Sequence, residues 1–74
     1  MSDSRKATQE IQVNGEAKAV PRPLTVAGLL AHLGIDTGPV AVERNRKIVP
    51  KARHGDTPVE AGDQLEIVTL VGGG

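Results

Sequence analysis

The chain has 74 residues, no aromatic residue and no cysteine, and its nine basic residues balance nine acidic ones. This length allows one domain, whose core must consist of Leu, Ile, Val and Ala side chains. The balanced charge and the lack of aromatic rings argue against partners such as nucleic acid or an anionic membrane surface. The lack of cysteine excludes disulfides and a cysteine nucleophile. No apolar run approaches the ~20 residues that span a bilayer, so we expect a soluble, cytoplasmic protein. We also expect it to be monomeric when free.

The N-terminal part of the chain predicts a polar leader and then a β-hairpin. Residues 1–8 are mostly polar or charged, and we expect them to be flexible. Ile11 and Val13 then alternate with polar residues, which is typical of a half-buried strand. The pair Asn14-Gly15 predicts a tight turn, because both residues tolerate a positive φ angle.

The second strand of this hairpin is predicted over residues 16–20, but the sequence leaves its inward face open. A two-residue turn and a bulged turn bury different side chains. The two sets are Val20 with the stems of Glu16 and Lys18, or Ala17 and Ala19.

A helix is predicted next. Its apolar side chains recur at the spacing of one helix face: Val26, Leu29, Leu30 and Leu33. Thr25 is a suitable N-cap, and Gly34 is placed to end the helix in a left-handed conformation. Gly28, inside the helix, costs ~1 kcal/mol relative to alanine, so we expect it to lie where the helix approaches the sheet closely.

Three further strands are expected after the helix, over residues 40–44, 47–49 and 64–71, with an irregular crossing over 50–58. In the last strand, Leu65 and Ile67 share one face, and Val68 and Leu70 share the other. The order of elements predicts an α+β protein with the β-grasp fold, a mixed sheet of four to five strands with one main helix packed across it. We assign residues 9–71 to this domain and residues 72–74 to a flexible tail.

The polar residues outside the tail have plain structural interpretations. His32 and His54 lack partners spaced for a triad or a metal site, and we interpret both as surface residues. The acidic residues near the end, Glu60, Asp63 and Glu66, fit turn chemistry and outward-facing strand positions. Five basic residues follow one another without an intervening acid: Arg44, Arg46, Lys47, Lys51 and Arg53. They predict a solvated strand edge, or alternatively a docking surface for an acidic partner.

The final residues, Gly72, Gly73 and Gly74, admit two interpretations. Short glycine runs are common as frayed ends or linkers. Glycine has no Cβ, however, so such a tail fits extended in a narrow channel, and the Gly74 carboxylate is an unhindered oxygen nucleophile toward an activated phosphate. The residues alone leave both interpretations open.

Several segments together resemble one family. They are Ile11-Gln-Val-Asn-Gly-Glu16, Thr25-Val-Ala-Gly-Leu-Leu30, Val42-Glu-Arg-Asn45, Ile48-Val-Pro50 and Gly62-Asp-Gln-Leu-Glu-Ile-Val68 with the glycine end. Over about residues 10–74 the chain is similar to the ThiS sulfur-carrier proteins of thiamine biosynthesis, which belong to the ubiquitin-like β-grasp superfamily.

The resemblance implies a protein co-substrate rather than an enzyme. A ThiF-like adenylating enzyme would use ATP and magnesium, neither bound by the chain itself, to activate Gly74 as an acyl adenylate. Sulfur from a persulfide, such as that of a cysteine desulfurase, would convert it to a thiocarboxylate. A ThiG-like thiazole synthase would take this sulfur into the thiazole moiety of thiamine. Gly73 and Gly72 would thread the tail into the partners.

The last strand is expected to contact these partners through Val68, Leu70 and Val71. Related carriers for molybdopterin, cysteine, siderophore or tRNA thiolation pathways are alternatives, and the lack of aromatic residues and the Glu43-Arg-Asn segment favour the thiamine branch over molybdopterin. A non-carrier β-grasp interaction module is an alternative of a different class.

Overall fold

The computed structural model of the chain describes residues 8–35 and 38–70. The described residues form the elements β1 (Thr8–Val13), β2 (Glu16–Pro21), β3 (Leu24–Thr25), α1 (Val26–His32), β4 (Val40–Arg44), β5 (Lys47–Val49), β6 (Pro58–Val59) and β7 (Gln64–Thr69). Thr8, which the sequence assigned to the leader, is the first residue of β1. The rest of that leader, Val71 and the tail 72–74 lie outside the described residues.

The main sheet has five strands in the order β2-β1-β7-β4-β5. β1 and β7 are parallel neighbours at its centre, and the other pairs are antiparallel. The β-grasp prediction of a mixed sheet with one main helix is therefore confirmed. The prediction of an irregular crossing over residues 50–58 is wrong in part, because this segment contains a 3₁₀ helix, Lys51–Arg53, and its last residue begins the strand β6, which pairs with β3.

The first hairpin has a two-residue turn. Asn14 and Gly15 have φ angles of 52° and 85°, the positive values that such a turn requires. The turn pairs Val13 with Glu16 and directs Val20 into the core. Of the two faces that the sequence left open, the one with Val20 inward is the observed one.

Helix α1 begins and ends as its sequence predicts. The Thr25 hydroxyl accepts a hydrogen bond from the Gly28 N–H at 3.1 Å. At the other end Gly34 has φ 75°, and its N–H donates to the Ala31 carbonyl at 3.0 Å. The Ile35 N–H donates to the Leu30 carbonyl at 3.0 Å, and these two bonds together form a Schellman motif.

Gly28 does lie at a close approach, but the neighbour belongs to β3. A Cβ built there would lie 2.9 Å from the Leu24 Cδ1 atom.

The core lies between α1 and the inner face of the main sheet. It consists of Ile11, Val13, Val20, Val26, Leu29, Leu30, Val42, Val49, Val59, Leu65 and Ile67. These are aliphatic side chains only, as the composition requires.

The two histidines have different surroundings. His32 is exposed, as predicted. His54 is only 8% exposed, and its Nε2 lies 3.1 Å from the Val49 carbonyl oxygen, so the prediction of a surface residue is wrong. The His54 carbonyl also accepts a hydrogen bond from the Ala27 N–H at 2.8 Å, in the first turn of α1. Two contacts therefore hold His54 inward, one from its ring to Val49 and one from its carbonyl to the start of the helix.

Candidate functional site

The candidate site is the end of β7, from which the chain continues into the glycine tail. β7 is the middle strand of the sheet, with β1 on one side and β4 on the other. The β4 side is paired to the end of the described segment, since the Leu70 N–H donates to the Pro39 carbonyl at 2.9 Å. The last described strand therefore has a neighbouring strand on both sides and is not an edge strand of the sheet.

On the β1 side, the side chain of Asn14 takes over where the first strand ends. Its Oδ1 accepts a hydrogen bond from the Ile67 N–H at 2.8 Å, and its Nδ2 donates to the Ile67 carbonyl at 3.1 Å. The amide group of Asn14 thereby replaces the next peptide of the ladder. The turn residue that closes the hairpin also holds β7 two residues before the strand ends.

The start of β7 is held by an ion pair. The Asp63 side chain is 8% exposed, and its Oδ2 accepts hydrogen bonds from Arg44 Nε at 2.6 Å and from the Glu60 N–H at 2.8 Å. Its Oδ1 accepts one from Asn45 Nδ2 at 3.1 Å. Asn45 in turn accepts from the Gln64 N–H through Oδ1 at 3.0 Å. These contacts tie the turn between β4 and β5 to the turn before β7.

The Asp63 carboxylate is ionised more readily than usual. Burial acts to raise its pKa, but the hydrogen bonds from Arg44, Glu60 and Asn45 and the Arg44 charge together hold the pKa below its ordinary value of 3.8. The turn chemistry predicted for Asp63 is therefore observed. The Glu43-Arg-Asn and Gly62-Asp segments, which carried much of the family resemblance, supply this ion-pair network.

The outer face of the sheet carries a small apolar surface near the strand end. Val68 is 54% exposed and Leu70 is 50% exposed, so both are accessible, as the predicted partner contact requires. Ala41 lies beside Val68 on β4 and is also exposed. The third predicted contact residue, Val71, lies outside the described residues.

Sequence reasoning missed Ile48 as a member of this surface. It is 76% exposed on the edge strand β5, and it lines one open groove together with Val68. Its neighbour Val49 points into the core, and the alternation of a strand then directs Ile48 outward. That alternation was available in the sequence, but β5 is so short that its faces were not assigned.

The basic stretch divides between two roles. Arg44 forms an ion pair with Asp63, and its side chain is only partly exposed. The remaining four are exposed: Arg46, Lys47, Lys51 and Arg53. Two of these, Arg46 and Lys51, line the same groove as Ile48. Positive charge therefore borders the apolar surface on its β5 side.

Within residues 8–35 and 38–70, no group of three or more His, Cys, Asp and Glu side chains is placed to hold a metal ion. In the same part of the chain no helix has the length and apolarity needed to cross a membrane.

The mixed five-stranded sheet, the main helix packed across it and the position of β7, the last strand in the chain, at the centre of the sheet define a ubiquitin-like β-grasp protein. A crystal structure of the thiamine biosynthesis protein ThiS from Geobacter metallireducens superimposes with a TM-score of 0.76, at 30% sequence identity, over 89% of this chain and 100% of that one. The ThiS family model matches residues 9–74. The chain belongs to the ThiS family.

Two kinds of relative are informative. The sulfur carrier protein ThiS of Bacillus subtilis is 37% identical over 65 residues, which cover 86% of this chain and 98% of that protein. A thiazole synthase of Paramagnetospirillum magneticum is 46% identical over 65 residues, or 88% of this chain. The chain spans about a fifth of the length of the two thiazole synthases that it matches.

Proposed function

We propose that this chain is a sulfur carrier whose Gly74 carboxylate is adenylated and converted to a thiocarboxylate that donates sulfur for the thiazole moiety of thiamine. The observation that carries the proposal is the match of the ThiS family model, which covers residues 9–74 and therefore all of the β-grasp domain except Thr8. The relative of similar length in Bacillus subtilis is named a sulfur carrier protein.

The chemistry suits a chain of this composition. There is no cysteine, so no side chain can form a persulfide, and sulfur has to be carried on the main-chain terminus. A carboxylate is a poor acyl donor. Attack of its oxygen on the α-phosphorus of ATP, with release of pyrophosphate, gives an acyl adenylate with a good leaving group. The terminal sulfur of a persulfide then displaces AMP, and thiol cleavage of the resulting S–S bond leaves the thiocarboxylate.

The groups that catalyse these steps belong to the partners in this proposal. A ThiF-like adenylating enzyme supplies the site for ATP and magnesium, and a cysteine desulfurase supplies the persulfide. The carrier itself acts as a co-substrate. Gly73 and Gly72 let the extended tail enter a narrow active site, because no Cβ widens it. Val68, Leu70 and Val71 are the proposed contact with the partner at the mouth of that site.

The proposed acceptor is a ThiG-like thiazole synthase in the cytoplasm. Two thiazole synthases contain a stretch similar to this chain that makes up 20% of their length. A carrier domain that occurs in the same polypeptide as the synthase favours direct transfer between them, because linkage raises the effective concentration of the carrier.

The experiment is an intact-mass measurement. The purified carrier is incubated with the adenylating enzyme, ATP, magnesium and a persulfide donor with reducing thiol. We expect the mass increase that corresponds to replacement of one carboxyl oxygen by sulfur.

Two variants serve as controls for the position of the sulfur. Deletion of Gly74 and addition of one alanine after it both displace the reactive carboxylate while the folded domain stays the same. We expect neither variant to gain sulfur. An unchanged wild-type mass with an enzyme that adenylates another carrier, or sulfur on the extended variant, would refute the proposal.

A further inference from the structure

The edge strand β5, the turn before it and the 3₁₀ helix after it carry four exposed cations to which the proposed function gives no role. They are Arg46, Lys47, Lys51 and Arg53, and we call them the basic margin. None of the four lies within ion-pair distance of an acidic side chain among residues 8–35 and 38–70. Because the whole chain has no net charge, this concentration of one sign is a local feature of one edge of the sheet.

Two open grooves border β5, and each is lined by two members of the basic margin. Arg46 and Lys51 line the first groove, which also contains Val68. The other two members line the second groove. Ile48 belongs to both grooves and is 76% exposed. An accessible apolar side chain therefore lies between two pairs of cations.

The acidic residues near the basic margin leave β5 itself positive. Glu43 and Glu66 line the first groove, but they lie on β4 and β7 rather than on the edge strand. Among the described residues, none that lines the second groove is acidic. A segment that follows β5 thus meets positive charge on both sides of Ile48.

Protection of the sheet edge explains charge on β5 but not the other features. Charged side chains on an edge strand prevent pairing with other chains. On the opposite edge strand, β2, Lys18 lies 3.7 Å from Glu16, so cation and anion are balanced there. β5 instead combines unbalanced cations with the exposed Ile48. An apolar centre with a charged rim is typical of a protein–protein contact.

The turn that leads into β5 contains a strained residue of the basic margin. Asn45 and Arg46 have φ angles of 53° and 71°. In the first hairpin the second turn position is Gly15, with φ 85°. A residue with a Cβ is disfavoured in this left-handed region, so glycine suits the position of Arg46 better. Backbone strain at a residue whose side chain lines a groove indicates a function for that side chain.

We propose that the basic margin binds an acidic segment of the adenylating enzyme, with an apolar side chain of that segment packed on Ile48. This docking surface rests on the proposed function, which supplies the enzyme. Since the first groove also contains Val68, the basic margin continues the surface that leads toward the end of β7 and faces the same partner. Residues 1–7 of the chain carry two basic residues and one acidic residue, so this segment does not complement the basic margin in charge.

Titration of the adenylating enzyme with the full-length carrier at two salt concentrations tests the proposal. At about 50 mM salt we expect Lys47→Gln/Arg53→Gln to bind about two- to twentyfold more weakly than the wild type. At about 500 mM salt screening should reduce this difference to less than about twofold. Lys18→Gln is the control, because it removes a positive charge from the opposite edge of the sheet, and it should bind as the wild type does. Equal binding of the double variant at low salt, or a loss that salt does not reduce, would overturn the proposal.

Two substitutions of Arg46 separate a role in binding from a role in folding. Arg46→Gly relieves the positive φ angle, so we expect Tm to rise by about 2–8 °C while the affinity for the enzyme falls about two- to fivefold. Arg46→Lys keeps the charge and the strain, and it should leave both Tm and affinity close to those of the wild type. An Arg46→Gly variant that binds as tightly as the wild type would contradict the proposal.

The outcomes separate the docking surface from the carrier function. Carrier-dependent exchange of pyrophosphate with ATP reports adenylation. If that exchange occurs while the variants of the basic margin bind normally, the docking surface is wrong and the carrier function stands. If these variants weaken only binding to thiazole synthase, or only self-association of the carrier in sedimentation, the assigned partner is wrong. If the wild type supports no exchange, the carrier function is wrong as well.

Discussion

The replacement Asp63→Asn should destabilise the domain strongly, because it removes the charge at the centre of the network before β7. The amide keeps the shape of the side chain but places a donor group against Arg44 and Asn45. Hydrogen bonds to a charged group contribute about 1.5–3 kcal/mol, and loss of one member of a buried ion pair costs about 3–5 kcal/mol. Arg44 is 28% exposed, so water recovers part of the loss. We therefore expect a cost of about 2–4 kcal/mol.

The assay is chemical and thermal unfolding. For a domain of this size 1 kcal/mol corresponds to about 4–8 °C in Tm, so Asp63→Asn should lower Tm by roughly 10–30 °C. Glu60→Gln is the matched control. The Glu60 side chain is exposed, and the substitution removes one negative charge from the same turn. It should change stability by less than about 0.5 kcal/mol. Equal stability of the two variants would refute the role assigned to the network.

The pH dependence supplies a second test of the same carboxylate. Since the pKa of Asp63 is lowered in the folded protein, the folded state binds fewer protons than the unfolded state in acid, and the stabilisation is present above the ordinary value of 3.8. It is lost as the pH falls below 3.8 and through the lower pKa of the folded state. The stability difference between the wild type and Asp63→Asn should therefore shrink in acid. A difference that stays constant from neutral pH to pH ~2 would contradict the assignment.

Three further variants test other parts of the account. Asn14→Ala should destabilise the protein more than Asn14→Gly in urea unfolding, because both lose the hydrogen bonds to Ile67 but only alanine also pays ~1 kcal/mol for a positive φ angle; equal losses would contradict this. Glu66→Gln should raise stability by about 0.2–1 kcal/mol, because Glu66 lies directly opposite Glu43 on the outer face; a loss in the same assay would contradict it. Ile48→Ser should change the free energy of unfolding by less than about 0.5 kcal/mol but raise the KM for adenylation, because Ile48 is exposed and lines one groove with Val68; an unchanged KM would show that the partner does not contact Ile48.

The elements that local patterns specify were predictable from the sequence. The first hairpin follows from the alternation around Ile11 and from Asn14-Gly15, and the helix follows from its apolar stripe with Thr25 and Gly34 at its ends. Each of these signals lies within a few residues of the structure that it determines. The fold class followed from their order.

What was missed depends on contacts between distant segments. β6 has only two residues and exists because β3 lies beside it. His54 is buried because its backbone supports the start of α1 and its ring reaches Val49, and neither contact has a local signature.

The candidate site was predictable only in part. The exposure of Val68 and Leu70 follows from strand alternation, but the Ile48 position and the Arg44–Asp63 pair depend on how β4, β5 and β7 are arranged. The sequence motif marked Arg44 and Asp63 without indicating that they bind each other across 19 residues.

The most direct test of the central claim is to follow labelled sulfur from the carrier to the product. The carrier is prepared with isotopically labelled sulfur in the thiocarboxylate at Gly74, freed of the donor proteins and incubated with thiazole synthase and its other substrates. The mass of the thiazole product is then measured. We predict that the label enters the thiazole and that the carrier returns to the carboxylate. A thiazole without label, formed while the carrier keeps its sulfur, would contradict the claim.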